Sequence, residues 1–261
     1  MNLLVLLAGV ADPRRPLPAA IDAAALTAHR AACPLLSPFD EAALELALKL
    51  RDAEPATRIE ALVGAASERD PLLRHVGGFR LDAVGGLSLA EHPAWNAGML
   101  AARLAAWIGA LATPPDLVLM GREFGDEDDG VLPALLAEAL GRPLLSQALL
   151  LRASESSVEV LRQHGGGLER LLQRGPAVVA ATNHTGNRLR HPLLKNVMAA
   201  KKAAYALTAL PQAGADRPHV LSCTSVKAAQ APAREGACSM LVGSVDEQAA
   251  ALARELMAVA A

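Results

Sequence analysis

Seven histidines, three cysteines and 27 acidic residues are the side chains of this 261-residue sequence with which metal, nucleophilic or acid–base chemistry could be done. His29, His75, His92, His164, His184, His191 and His219 are scattered, and Cys33, Cys223 and Cys238 form no CxxC pair, so no set has metal-ligand spacing. No GxSxG elbow fixes a serine at a strand-to-helix turn. A GxxxxGKS/T loop is missing, as is a GxGxxG after the first apolar run, which removes two standard cradles for phosphate. Three polar segments are left. GREFGDEDDG, Gly121 to Gly130, follows an apolar run, and the carboxyl ends of parallel strands are where ligands bind. Its Asp126, Glu127, Asp128 and Asp129 suit a hydrated cation or a ribose, or else form a solvated loop. SPFDE, beginning at Ser37, can offer helix amides to an anion or simply cap a helix. HTGNRLRHPLLKNVMAAKK interleaves Arg188, Arg190, Lys195, Lys201 and Lys202 with Leu193, Leu194, Val197 and Met198. That mixture suits a docking surface or a charged edge over ordinary core.

The elements that must position these segments follow from apolar patterning. Leu3 to Ala8, Arg58 to Val63, Phe79 to Val84 and Asp116 to Met120 are strand-length runs separated by helical patterns, the βαβ signature of a mostly parallel sheet. After Ser37, Pro38 suits the first position of a helix and Asp40 and Glu41 complement its positive end. Ala42, Leu46 and Leu50 then set one stripe against the sheet. Further helices are expected over Trp95 to Leu111 and Leu132 to Leu140, the latter stopped by Gly141 and Pro143. LLSQALLLR, SSVEVLRQ, LERLLQ and AVVAAT read as strands joined by turns that include Gly165, Gly166 and Gly167, extending the sheet by antiparallel pairs. Leu210 to Ala237 reads as an extended segment and Val245 to Val259 as a final helix.

Composition narrows the class. The chain is 52% hydrophobic but only 2% aromatic, and its formal charge is -2, so neither a basic footprint nor a base-stacking surface for nucleic acid is present. MNLLVLLAGVADP lacks a basic n-region and reads as a buried first strand rather than a signal peptide, and no tract reads as a membrane span. The cysteine usage suits a reducing compartment, the cytoplasm.

Taken in order, the polar segments resemble the beta subunit of electron transfer flavoprotein. The family's NPF-x-E-x-A-x-E-x-A-x-x-L is matched by Ser37, Pro38, Phe39, Glu41, Ala43, Glu45, Ala47 and Leu50, and its DLVLLGKQAIDDD by DLVLMGREFGDED from Asp116. GGGLERLLQRGPAVVA resembles DGG-x-E-x-L-x-x-x-x-PAVVT, and Asn187, Arg190, Leu194, Asn196, Met198, Ala200, Lys201 and Lys202 match N-x-P-R-Y-x-x-L-x-NIM-x-AKK. Asp12, Arg234 and Gly236 also fit. The resemblance implies a Rossmann-like α/β domain over 1–209, with helices on both faces of the sheet, and a C-terminal arm and helix over 210–261. It implies a heterodimer whose alpha subunit holds FAD, a structural AMP, a flavin dehydrogenase as donor and a quinone-linked oxidoreductase as acceptor. It implies no catalytic residues in this chain.

By the same resemblance an AMP pocket involves Leu6, Ser37, Phe39, Asp40, Asp126, Asp128, Asp129, Gly130, Val131 and Leu132, and Asp12 and Pro13 lie near the alpha subunit's FAD. Asn187, Arg188, Leu189, Arg190, Leu193, Leu194, Asn196, Met198 and Lys201 are the expected docking residues, and the arm contacts the alpha subunit. Four departures alter this picture. Gly130, Val131, Leu132 and Pro133 stand where the family has N-Q-S/T-G, losing two side-chain donors and one amide. At ~0.5–1.5 kcal/mol per hydrogen bond, and more to a charged acceptor, AMP affinity falls by one to several orders of magnitude. Ala8 and Gly9 replace a basic K-R, Ser37 replaces Asn, and Thr185, Gly186 and Leu189 alter the docking segment, which points to a different dehydrogenase. Two alternatives remain at this stage: an adenine-nucleotide-binding regulatory module, and the beta subunit of a bifurcating flavoprotein holding a second FAD.

Overall fold

The computed structural model describes residues 1–18, 23–65, 67–68, 70–88, 96–125, 130–154, 157–211 and 240–260. Asp126, Asp128 and Asp129, and the expected extended segment beyond residue 211, lie outside them. In chain order the elements are β1 (Asn2–Leu7), β2 (Val10–Ala11), α1 (Ala23–Ala32), β3 (Pro34–Leu35), α2 (Pro38–Ala53), β4 (Arg58–Ala65), α3 (Pro71–Gly77), β5 (Ala83–Ser88), α4 (Ala97–Gly109), β6 (Leu117–Gly121) and α5 (Leu132–Leu140). Then follow β7 (Leu144–Ser154), β8 (Ser157–His164), β9 (Gly167–Gln173), β10 (Ala177–Ala181), a 3-10 turn at Thr185–Asn187, α6 (Leu194–Ala200), β11 (Leu207–Thr208) and α7 (Val245–Ala260). The chain divides into two compact units, Met1–His219 and Val220–Ala261. In the second, α7 exposes Val245, Leu252, Leu256 and Met257. No helix among the described residues is long and apolar enough to cross a membrane.

The first unit is built on a nine-stranded sheet in the order β11-β5-β4-β1-β6-β10-β7-β8-β9. β1 runs parallel to β4 on one side and β6 on the other, with Val5 opposite Ala61 and Leu119. β8 pairs antiparallel with β7 and β9, as their turn-linked patterns indicated, whereas AVVAAT, read with them, is β10, which lies between β6 and β7 and runs parallel to both because the chain crosses back into the centre of the sheet. β1 is buried on both faces, which explains its unbroken apolar run: Leu3, Val5 and Leu7 join the core under α2, and Leu4 and Leu6 join the core under α4 and α5. Small and branched aliphatics fill both layers. The sheet with helices on each face is the expected α/β class.

Two local expectations shift. The strand read at Phe79 to Val84 is β5, four residues later. Gly77 and Gly78 end α3, Arg80 turns the chain with φ +53°, and the Asp82 carboxylate and amide pair with the Ile59 backbone at 2.8 and 2.9 Å before the strand begins. Two consecutive glycines then sit inside it, hiding it from a propensity reading. The reason is close approach: a Cβ on Gly86 would lie 2.5 Å from Leu207 Cδ2 of the neighbouring β11. Second, α2 is buried around most of its girth rather than along one stripe: Ala43, Leu44, Ala47 and Leu48 are covered as well as Ala42, Leu46 and Leu50. The short α1, α3 and α6 and the two-residue strands carried too little periodicity to be read.

Arg80 and Gln147 are the two residues other than glycine with positive φ among those described. The left-handed region costs an L-residue roughly 1–2 kcal/mol. Gln147 lies in the bulge where β7 leaves its parallel pairing with β10, and the Arg51 guanidinium holds the Arg80 and Phe79 carbonyls at 2.8 and 3.3 Å.

Gly121, at the end of β6, has no room for a side chain: an added Cβ would sit 2.7 Å from Phe39 Cβ and 2.8 Å from the Glu123 carbonyl oxygen. Gly121→Ala is expected to lose about 1–3 kcal/mol of stability by overpacking. Gly109→Ala, at a helical site with nothing within 4 Å, should be neutral or gain up to about 1 kcal/mol. Urea midpoints of the two variants check this, and the reverse ranking would contradict the packing.

Candidate functional site

The sheet order reverses between β1 and β6, so the carboxyl ends of these strands frame the crevice where doubly wound sheets bind ligands. On one side of it, β1 leads into Ala8 and Gly9, the latter at φ +67°. The amides of Ala8, Gly9 and Ser37 donate to the Asp40 carboxylate at 3.2, 3.0 and 3.2 Å, and the Asp40 amide donates to Ser37 Oγ at 3.0 Å. Ser37 and Asp40 thus form a capping box on α2, and the same carboxylate reaches across to the sheet. Arg30 donates to the Ala8 and Gly9 carbonyls at 2.5 and 3.1 Å, clamping the other side of the turn. Asp40 is fully buried, and burial pushes its carboxyl up to about 6 although the three amides favour the ion.

On the other side, Gly121 packs on Phe39, and the Arg122 guanidinium stands 5.2 Å over the Phe39 ring and pairs with Glu123. Gly125 and Gly130 take positive φ, Val131 is 42% exposed, and Leu132 is in the core beside Leu6. The described parts of the expected AMP pocket therefore do not fit a phosphate at the first turn. Its two amides are already spent on an internal anion, and Val131 places no side-chain cap on α5. Asp12 accepts Arg14 Nε and Nη2, each at 2.8 Å, which pulls its carboxyl down to about 2, while Pro13 is exposed.

The segment expected to dock a partner is held by α2. Glu41, Glu45, Lys49 and Asp52 recur at three- and four-residue spacing and present one polar stripe. Lys49 donates to the Gly186 carbonyl and, at 3.0 Å, to Asn187 Oδ1; Asn187 Nδ2 in turn donates to the Leu149 carbonyl at 2.9 Å. Arg190 forks onto Glu45, with Nη2 at 2.8 Å, and reaches Asp52 at 2.5 Å. The Glu45 hydrogen bonds raise the Arg190 pKa further above its ordinary value, with Asp52 adding to the effect. Glu41 is raised by burial, against the opposing charges of Arg188 and His191.

The expected docking residues therefore part into two groups. Asn187, 2% exposed, and Leu189, packed on the core, face inward, and the partly exposed Arg190 pairs back onto α2, so that the three fix the segment. Leu193, Leu194 and Met198 face out, at 61%, 77% and 50% exposure, with Arg188 and Lys201 also exposed and Asn196 half-buried. Lys49, Asp52 and Arg30 were not singled out from the sequence. The stripe's helical spacing was a signal for the first two; nothing local marked Arg30.

Sheet order, reversal point and glycine-lined carboxyl edge define a doubly wound, Rossmann-like protein. The chain belongs to the electron transfer flavoprotein domain family, whose model matches residues 30–213. It is 27% identical to the electron transfer flavoprotein subunit beta of Bradyrhizobium diazoefficiens, over 83% of this chain and 86% of that one. It is 29% identical to the same subunit of Bos taurus over 74% and 75%, and 34% identical to that of Mycobacterium leprae over 39% and 38%.

Asp40 gives a stability signature with a defined sign. Its folded value of about 6 exceeds the ordinary 3.8, so its contribution is fully present at low pH and is lost as pH rises through 6. The difference between the folded and ordinary values corresponds to about 3 kcal/mol. Asp40→Asn puts an amide donor against amide donors and should cost about 1–3 kcal/mol at pH 7. The gap from wild type should widen as pH falls toward 4.5, read by urea denaturation at each pH. A gap that narrows over that range would contradict the burial of this carboxyl.

Proposed function

We propose that the chain is the beta subunit of a heterodimeric electron transfer flavoprotein in the cytoplasm. It supports an alpha subunit that holds FAD, receives electrons from a flavin dehydrogenase and passes them toward a quinone-linked oxidoreductase. FAD supplies the electron-carrying chemistry; this chain binds and orients, and breaks no bonds. The observation that carries the reading is the outward apolar ridge of Leu193, Leu194 and Met198, borne on a segment fixed to α2 within the region that matches the family. A ridge of this kind, rimmed by Arg188, Lys195 and Lys201, suits a partner's apolar hollow, and the inward residues keep it in one geometry before docking. Within the C-terminal region expected to contact the alpha subunit, the exposed apolar side chains of α7 are fitted to that contact. Asp12 and Pro13 face the flavin of that subunit. The first-turn amides of this chain serve Asp40, so a nucleotide phosphate would have to be held at the turn before α5 instead.

The test is co-purification with an alpha subunit followed by flavin counting and dehydrogenase-driven reduction. One FAD per heterodimer is expected; two would favour the bifurcating alternative, and none would overturn the reading. Leu194→Asp should lower the dehydrogenase-coupled rate about 10-fold or more, the equivalent of losing one buried leucine contact, with flavin content and thermal midpoint unchanged. An unchanged rate would remove Leu194 from the docking surface.

A further inference from the structure

Away from the carboxyl edge, a groove of about 580 Å³ runs between the turn that leads into β5 and the helix α6. Arg80 and Asp82 stand on the turn wall, Lys195 and Asn196 on the helix wall, and Gly77 and Tyr205 belong to its lining. Its charges do not balance. Among the described residues the Arg80 and Lys195 side chains make no hydrogen bond or ion pair, whereas the Asp82 carboxylate already accepts the Ile59 amide at 2.8 Å. A third cation, Arg74, lies close enough to Tyr205 to oppose the rise that burial imposes on its hydroxyl.

The groove is closely packed at Tyr205. Tyr205 donates to the Ala200 carbonyl at 3.1 Å, and a Cβ on Gly77 would lie 2.1 Å from the Tyr205 oxygen, so the lining there is packed without slack. Arg80 lines the groove from a left-handed backbone, φ +53°, that glycine would adopt without strain. Strained residues of this kind concentrate where a side chain is used. Ala199, Ala203 and Ala204 line the helix side with nothing larger than a methyl group.

We propose that this groove binds an acidic, extended segment of a partner protein, with Arg80 and Lys195 pairing its carboxylates from opposite walls. An extended chain sends successive side chains to opposite sides, which matches cations placed on two walls better than a compact anion does. The same helix carries Leu194 and Met198, so a partner seated on the apolar ridge has the groove within reach; the inference rests to that extent on the docking reading. Open, cationic and salt-accessible, the groove steers and selects the partner more than it anchors it.

The test uses the chain in the assembly it forms with its alpha subunit, and a fluorescein-labelled hexaglutamate peptide as probe. Binding in 20 mM salt is expected, weakening at least 10-fold in Arg80→Glu/Lys195→Glu and again at 200 mM salt. Arg80→Gly should weaken binding while leaving the thermal midpoint unchanged or raised, a combination that a merely structural arginine would not give. No binding to the wild type, equal binding to the double variant, or displacement of the peptide by citrate at the same molar concentration would overturn the proposal, the last by showing a small-anion site. Dehydrogenase-driven reduction is read in parallel. If it is absent while peptide binding follows the expected pattern, the carrier reading fails and the groove stands.

Discussion

A carboxylate with no exposed surface must find donors or give up its charge, and Asp40 finds its donors on two separate parts of the chain. The Ser37 amide lies at the start of its own helix, and the Ala8 and Gly9 amides lie 32 and 31 residues earlier, at the end of β1. One side chain thereby ends the central strand, caps the helix and fixes the distance between them. With α2 placed in this way, its leucines cover one face of the sheet and its N-terminal Phe39 meets Gly121, the end of the strand on the other side of the crevice. Asp40 also takes up inside this protein the first-turn amides that face a phosphate in other doubly wound proteins.

The far half of α2 does a second job with different physics. Glu45, only 5% exposed, is matched by the bidentate Arg190, and Lys49 is matched by the Gly186 carbonyl and Asn187. Partly buried pairs of this kind contribute little net stability, because desolvation offsets attraction, but they define one arrangement among many. That is the property the proposed docking role needs. Leu193, Leu194 and Met198 gain nothing from burial in the free chain, so they are kept in place by the neighbours that precede them.

How much of this could be read from residues alone follows from the range of each interaction. The α2 start was legible because capping is local: Ser37, Pro38 and Asp40 lie within one turn. The β1 run and the antiparallel β7 to β9 were legible because their patterns repeat over several residues. β5 was displaced because what holds it is distant, Ile59 for Asp82 and Leu207 for the glycines. At the site, the outward leucines were visible as apolar residues among charges, while the inward duty of Asn187 and Arg190 depended on Lys49, Glu45 and Asp52 well over a hundred residues earlier. No spacing within the segment encodes that.

The central claim, made as a proposal, is that α2 fixes residues 186–190 so that the apolar ridge of Leu193, Leu194 and Met198 meets a dehydrogenase. Amide hydrogen exchange of the heterodimer, free and with a dehydrogenase that reduces it, tests this most directly. The account predicts that the amides of Asn187 to Arg190 are already slow in the free heterodimer, and that the dehydrogenase adds protection over 191–201 while leaving β7 to β9 unchanged. Fast exchange over 187–190 in the free state, or new protection confined to β8 and β9, would contradict it.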